Sequence, residues 1–181
     1  VRDNNQAALA TKTECLQKWR KIFLKIKIEN LRAFARRLLF EEEKWRRENK
    51  YNFWRKGSGR TIFHHACIYG NSKIAEMFVQ KSAECNIDLN AKDGNGWTAF
   101  HLSCQNGHSK IAEMLMQKSA EFNIDLNAKD KDGRTAFHWV CVNGHSKIAE
   151  MLMQKSVELN INLNTKDRYG GTPFHFACSD T

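Results

Sequence analysis

The 181 residues suit one domain or a short repeat array, and a hydrophobic content of 41% fits a folded chain rather than a collagenous or wholly disordered one. The formal charge of +9 is unevenly spread: residues 1–58 carry 16 basic and 7 acidic side chains, whereas residues 59–181 carry 13 of each. No apolar run reaches the roughly 18 residues of a membrane span, and Val1-Arg2-Asp3-Asn4 opens no signal-peptide core, so a cytoplasmic location is expected, with the nucleus as the alternative.

Residues 1–56 read as a basic helical segment. From Leu16 through Lys27, Leu31, Phe34 and Leu38 to Trp45, no Pro or Gly interrupts the chain before Gly57. Leu16, Trp19, Phe23 and Ile26 fall on one apolar stripe, while Lys18, Lys21, Lys25 and Arg32 lie largely off it, the pattern of a basic amphipathic helix. Three roles stay open. The stripe packs on the body that follows and caps it; or it enters a partner groove such as that of calmodulin through Trp19, Phe23 and Ile28; or it lies on an anionic membrane. Leu16-Gln17 with Lys21 resembles the calmodulin-binding IQ pattern, with Ile22 where a Gly is usual. Nucleic acid is not expected, because Glu41-Glu42-Glu43 breaks the positive run.

A Gly-rich junction at residues 57–60 leads into a repeat. Thr61-Ile-Phe-His64, Thr98-Ala-Phe-His101, Thr135-Ala-Phe-His138 and Thr172-Pro-Phe-His175 recur every 37 residues, and residues 98–134 and 135–171 share 27 of 37 positions. The units are therefore residues 61–97, 98–134 and 135–171, with a partial copy at 172–181 that stops after its first helix. A period of this length marks a solenoid, whose units bury their apolar faces only by stacking. Within a unit, Thr98 caps a short helix over Ala99–Gln105, and Asn106-Gly107 ends it. A second helix follows from Ser109, with Ile111, Ala112, Met114, Leu115 and Met116 at helical spacing. An extended stretch then runs into a turn at Asp130-Lys-Asp-Gly133. The expected class is all-α: helix, helix, projecting turn.

Those residues carry a resemblance. Asp130-Lys-Asp-Gly-Arg-Thr-Ala-Phe-His138, Asn143-Gly-His145 and Asn127-Ala-Lys-Asp130 match the motif of ankyrin repeats, so residues 59–181 resemble an ankyrin-repeat solenoid. Ala or Ile replaces the motif's Pro in three copies, and Phe replaces its Leu in all four. Each unit is also longer than is usual in that family, the additions falling in Lys118-Ser-Ala-Glu-Phe-Asn123, which predicts a longer second helix. The resemblance implies a scaffold or adaptor that binds a protein, and an N3 histidine hydrogen-bonded to its Thr cap.

The pairs His64/Cys67, His101/Cys104, His138/Cys141 and His175/Cys178 each span about one helical turn. Two ligands do not make a zinc site, and equivalent helices packed roughly 8 to 10 Å apart do not share an ion whose ligands sit about 2 Å away. The cysteines are expected to be reduced and buried, and no metal or cofactor is expected. Gly57-Ser-Gly59 and Gly94-Asn-Gly96 lack the rest of a phosphate-binding motif, and the Ser, His and Asp residues occupy repeat positions, so no catalytic residues and no enzyme activity are expected. Positions that differ between otherwise matching units are the candidate binding residues: Asn95, Trp97, Lys131, Asp132, Arg134, Arg168 and Tyr169 at the turns, and Tyr69, Gln105 and Val142 near the ends of the first helices. In the family these positions line the concave face and the fingertips; Trp97, Arg134 and Tyr169 stand out as the residue types that dominate binding energies, with Trp97 expected to be exposed.

Overall fold

The computed structural model describes residues 59–85 and 87–178. The chain divides into two compact units, residues 1–53 with 83–86 and residues 54–82 with 87–181, and the second holds the repeats. The basic segment with Trp19, Phe23, Ile26 and Ile28 lies outside the described residues.

The first helices of successive repeats are α1 (Ile62–Ile68), α4 (Ala99–Gln105), α7 (Ala136–Val142) and α9 (Pro173–Ala177). The second helices are α2 (Ser72–Gln80), α5 (Ser109–Gln117) and α8 (Ser146–Lys155), and single turns α3 (Ser82–Cys85) and α6 (Ser119–Phe122) follow the first two. No strand occurs among the described residues. Each first helix packs on the next, and each second helix lies against its own first helix and the following second helix.

The local chemistry accounts for these boundaries. Thr98 is extended at φ −87° and ψ 169°; its hydroxyl accepts the His101 N–H, and the His101 Nδ1 accepts the Thr98 N–H at 3.2 Å. This is a capping box in which His replaces the usual Glu or Gln, and it recurs in the other three units. At the far end, Gly107 sits at φ +72°, where a side chain is strained, and a Cβ there would lie 2.7 Å from the His145 ring. In α5, Ile111, Ala112, Leu115 and Met116 are buried on one face, each larger side chain contributing about 1.5 to 3 kcal/mol by leaving water.

The expected longer second helix is not what forms. α5 stops at Lys118, and the added residues make the separate turn α6, closed by Asn123 in the left-handed region at φ +51°. The break has a local cause. The Ser119 hydroxyl donates to the Met116 carbonyl at 2.8 Å, as Ser82 does to Val79 and Ser156 to Met153, and such back-bonding competes with the helical ladder.

Three hydrogen-bonded ladders recur along the array, the first tying each first helix to the turn that closes its own unit and the other two tying unit to unit. His64, His101 and His138 are buried and donate through Nε2 to the carbonyls of Trp97, Arg134 and Gly171 at 3.0, 3.2 and 3.3 Å. The Nδ1 atoms accept backbone N–H bonds, which leaves the proton on Nε2. His108 and His145 donate back to the carbonyls of Ile68 and Gln105, both at 2.8 Å. Asn90 and Asn127 donate to the carbonyls of Asn123 and Asn160 and accept from the N–H groups of Asp125 and Asn162.

Burial pushes the His64, His101 and His138 imidazoles below the ordinary value of 6.5, against the pull of the carbonyls they face and of Asp93, Asp130 and Asp167. The unfolded chain therefore takes up protons that the folded chain refuses. The stabilisation is complete above about pH 6.5 and is lost as pH falls through the lowered folded values. Melting followed by circular dichroism should give a midpoint that is nearly level from pH 7.5 to about pH 6.5 and falls as the pH is lowered further to about 5; a midpoint that stays level or rises on that acid side would contradict the neutral, buried assignment.

Candidate interaction surface

Each turn is organised by a buried aspartate. Asp93 Oδ1 accepts the N–H groups of Asn95 and Trp97, Asp130 Oδ1 those of Asp132 and Arg134, and Asp167 Oδ1 those of Tyr169 and Gly171, all between 2.8 and 3.0 Å. The second oxygen faces a neighbouring unit. Asp93 Oδ2 accepts from Arg60 Nε at 3.1 Å, and Asp167 Oδ2 from Arg134 Nε at 3.3 Å. Trp97 stands between Arg60 and Arg134 in the repeat frame and has no guanidinium to offer, so Asp130 Oδ2 takes the indole N–H of Trp139 at 3.0 Å instead. Burial opposes ionisation of Asp167, but the N–H groups of Gly171 and Tyr169 and the Arg134 guanidinium outweigh it and hold its carboxyl below the ordinary range.

This clasp corrects the expected exposure of Trp97. Trp97 is half-buried and packs on Trp139, with ring centroids 4.6 Å apart at 51°. Arg134 is also half-buried, its guanidinium over the rings of Trp139 at 5.3 Å and Phe176 at 4.8 Å. At the same repeat position the two side chains meet the neighbouring unit in different ways, Arg134 through the Asp167 carboxylate and Trp97 through the Trp139 ring.

The remaining candidates fall in two groups. At the turns, Asn95, Lys131, Arg168 and Tyr169 are exposed. Arg168 is ion-paired with Asp132 at 3.0 Å, lies over the Tyr169 ring and hydrogen-bonds its hydroxyl, so Asp132, Arg168 and Tyr169 form one connected cluster. At the first helices, Tyr69 is 60% exposed and stacks on His65, while Gln105 and Val142 are half-buried. Tyr69 occupies the position where Asn106 and Asn143 donate to the carbonyls of Leu102 and Trp139. A further variable row, absent from the expected binding residues, is His65, Leu102, Trp139 and Phe176, where one repeat position carries four different side chains.

The histidines of the first three His-x-x-Cys pairs are built into the fold. Both ring nitrogens of His64, His101 and His138 are engaged within the fold, and no three metal-ligating side chains cluster among the described residues. The cysteines are not equally buried, as expected from their equivalence. Cys67 and Cys104 are fully enclosed, Cys141 is half-buried and Cys178 is exposed, because the covering thins where the next first helix is the short α9. Burial pushes the Cys67 thiol far up, Cys104 up to about 12 and Cys141 up to about 11. Phe137 at 3% and its counterpart Phe174 at 46% exposure follow the same gradient.

A family model for ankyrin repeats, built as three copies, matches residues 23–129 and 122–181. The chain belongs to the ankyrin-repeat family. The first match begins at residue 23, inside the basic segment. A search of curated proteins finds no match. Ankyrin repeats generally mediate protein–protein interaction and are typically non-catalytic. No described helix is long and apolar enough to cross a membrane.

Among the four periodic cysteines of this ankyrin array, native alkylation should label Cys178 first, then Cys141, with Cys104 and Cys67 reacting only on unfolding; fast labelling of Cys104 would break the burial gradient. Trp97→Ala should lower stability by about 2 to 4 kcal/mol in denaturant titration. A double-mutant cycle with Trp139→Ala should recover about 1 kcal/mol of coupling, whereas additivity would show the two rings to be independent.

Proposed function

We propose that the array is a non-catalytic scaffold or adaptor that binds a protein partner across the turn tips and the first-helix face. The observation that carries this reading is Tyr69. Two sister units use Asn at this position to satisfy a helix carbonyl, and the first unit replaces that bond with an aromatic ring facing solvent. A change that gives up a local stabilising bond for exposed aromatic surface has a physical rationale if a partner covers the ring. Tyr169, 71% exposed, supports the same reading, because Arg168 and Asp132 hold it in place before binding and less side-chain freedom is lost on association.

In this reading Tyr69 and Tyr169 are the anchors, Asn95, Lys131, Asp132 and Arg168 meet the partner at the tips, and Gln105 and Val142 form the floor between them. Trp97 and Arg134 hold the surface in shape from beneath.

Partner capture on the immobilised chain tests the assignment. Tyr69→Ala and Tyr169→Ala should each weaken retention by about 1 to 3 kcal/mol while leaving the melting temperature unchanged. Normal binding by both variants, with loss on Trp19→Ala or Phe23→Ala, would move the partner to the basic segment.

A further inference from the structure

Burial alternates along the approach to each turn. Ala128 and Asp130 are buried while Lys129 and Lys131 are exposed; Thr165 and Asp167 are buried while Lys166 and Arg168 are exposed; and exposed Lys92 precedes buried Asp93. The cations therefore share the outward face. They also join across units. The Lys131 N–H donates to the Asn95 carbonyl at 3.1 Å and the Arg168 N–H to that of Asp132 at 2.9 Å, while Lys92 Nζ reaches the Lys129 carbonyl at 2.8 Å. Lys92, Lys129, Lys131, Lys166 and Arg168 make one band over three successive turns.

Nearby negative charge is largely committed. Asp93, Asp130 and Asp167 are buried and hydrogen-bonded, Asp132 is paired with Arg168, and exposed Asp88 and Asp125 each accept a backbone N–H of their own turn. The first helices α1, α4, α7 and α9 contain no carboxylate, whereas Glu76, Glu113 and Glu150 sit on the second helices. Lys129, Lys131 and Lys166 have no ion-pair partner among the described residues. One or two cations per unit, on units about 10 Å apart, fall far below the density of a duplex, which carries a charge every ~1.7 Å. The band suits a sparsely charged chain.

We propose that this band docks an acidic segment of the protein partner. The inference rests on the partner-binding reading above and adds the partner's chemistry: carboxylates opposite the turn lysines, beside the Tyr169 anchor. Complementary charge of this kind speeds encounter and sets register, and it weakens with salt.

Fluorescence anisotropy on the full chain tests it with a labelled Asp/Glu dodecapeptide and a twelve-nucleotide oligothymidylate as probes. Residues 1–58 are themselves basic, so the decisive comparison is between two triple variants of equal charge. Lys129→Gln, Lys131→Gln, Lys166→Gln should weaken peptide binding by about tenfold, and Lys73→Gln, Lys110→Gln, Lys147→Gln on the second helices by less than about twofold. Both should melt as the unaltered chain does. Equal losses in the two triples, no peptide binding by the unaltered chain at low salt, or an equal turn-lysine dependence for the oligonucleotide would each overturn the proposal. If the proposal falls while partner capture still depends on Tyr69 and Tyr169, the partner-binding reading stands and only the acidic segment is wrong.

Discussion

The array depends on a neutral imidazole with two obligations. One nitrogen of His101 closes the cap of its own helix and the other reaches the carbonyl at the base of the next turn, so the start of α4 and the position of the following unit are set by the same ring. A second ring proton on Nδ1 would remove the acceptor that closes the cap, and burial keeps that proton away. Because the ring sits where the first helices stack, solvent cannot replace either partner without opening the junction. The helices, the turns and the surface they present follow from this repeated bridge.

Around it, the buried aspartates determine what the surface is made of. Each spends one oxygen on its own turn and one on a neighbour, and that second bond is where the units are free to differ, through Arg60, Trp139 or Arg134. Variation between copies therefore has two origins. At Trp97 and Arg134 it reflects alternative solutions to a packing requirement; at Tyr69 and Tyr169 it leaves aromatic surface in water. A comparison of copies within one sequence responds equally to both.

That distinction marks the limit of what the sequence discloses. The period, the helix over Ala99–Gln105 and its Thr cap were legible because they rest on local chemistry: a hydroxyl, an N3 side chain and a Gly that accepts a positive φ. The extent of the second helix was not, since added residues lengthen a helix only if nothing competes for its carbonyls, and Ser82, Ser119 and Ser156 do compete. The burial of Trp97 was hidden for another reason. Its partner Trp139 is 42 positions away in another unit, and no spacing rule within a helix or a turn pairs them. Equal burial of the cysteines failed likewise, because equivalent sequence positions have equivalent surroundings only where a full neighbour lies on both sides.

The ladders fix the step in which such a chain can change. Their bonds join residues 33, 35 or 40 positions apart, and the same separations recur along the array. Duplicating or deleting a whole 37-residue unit would recreate every one of these bonds at the new junction. Losing a single residue inside a unit would shift the cap, the turn and the Asn bridge out of step together. The architecture is thus elastic to large edits and brittle to small ones, and its near-identical second and third units are the kind of sequence that change by whole units leaves behind.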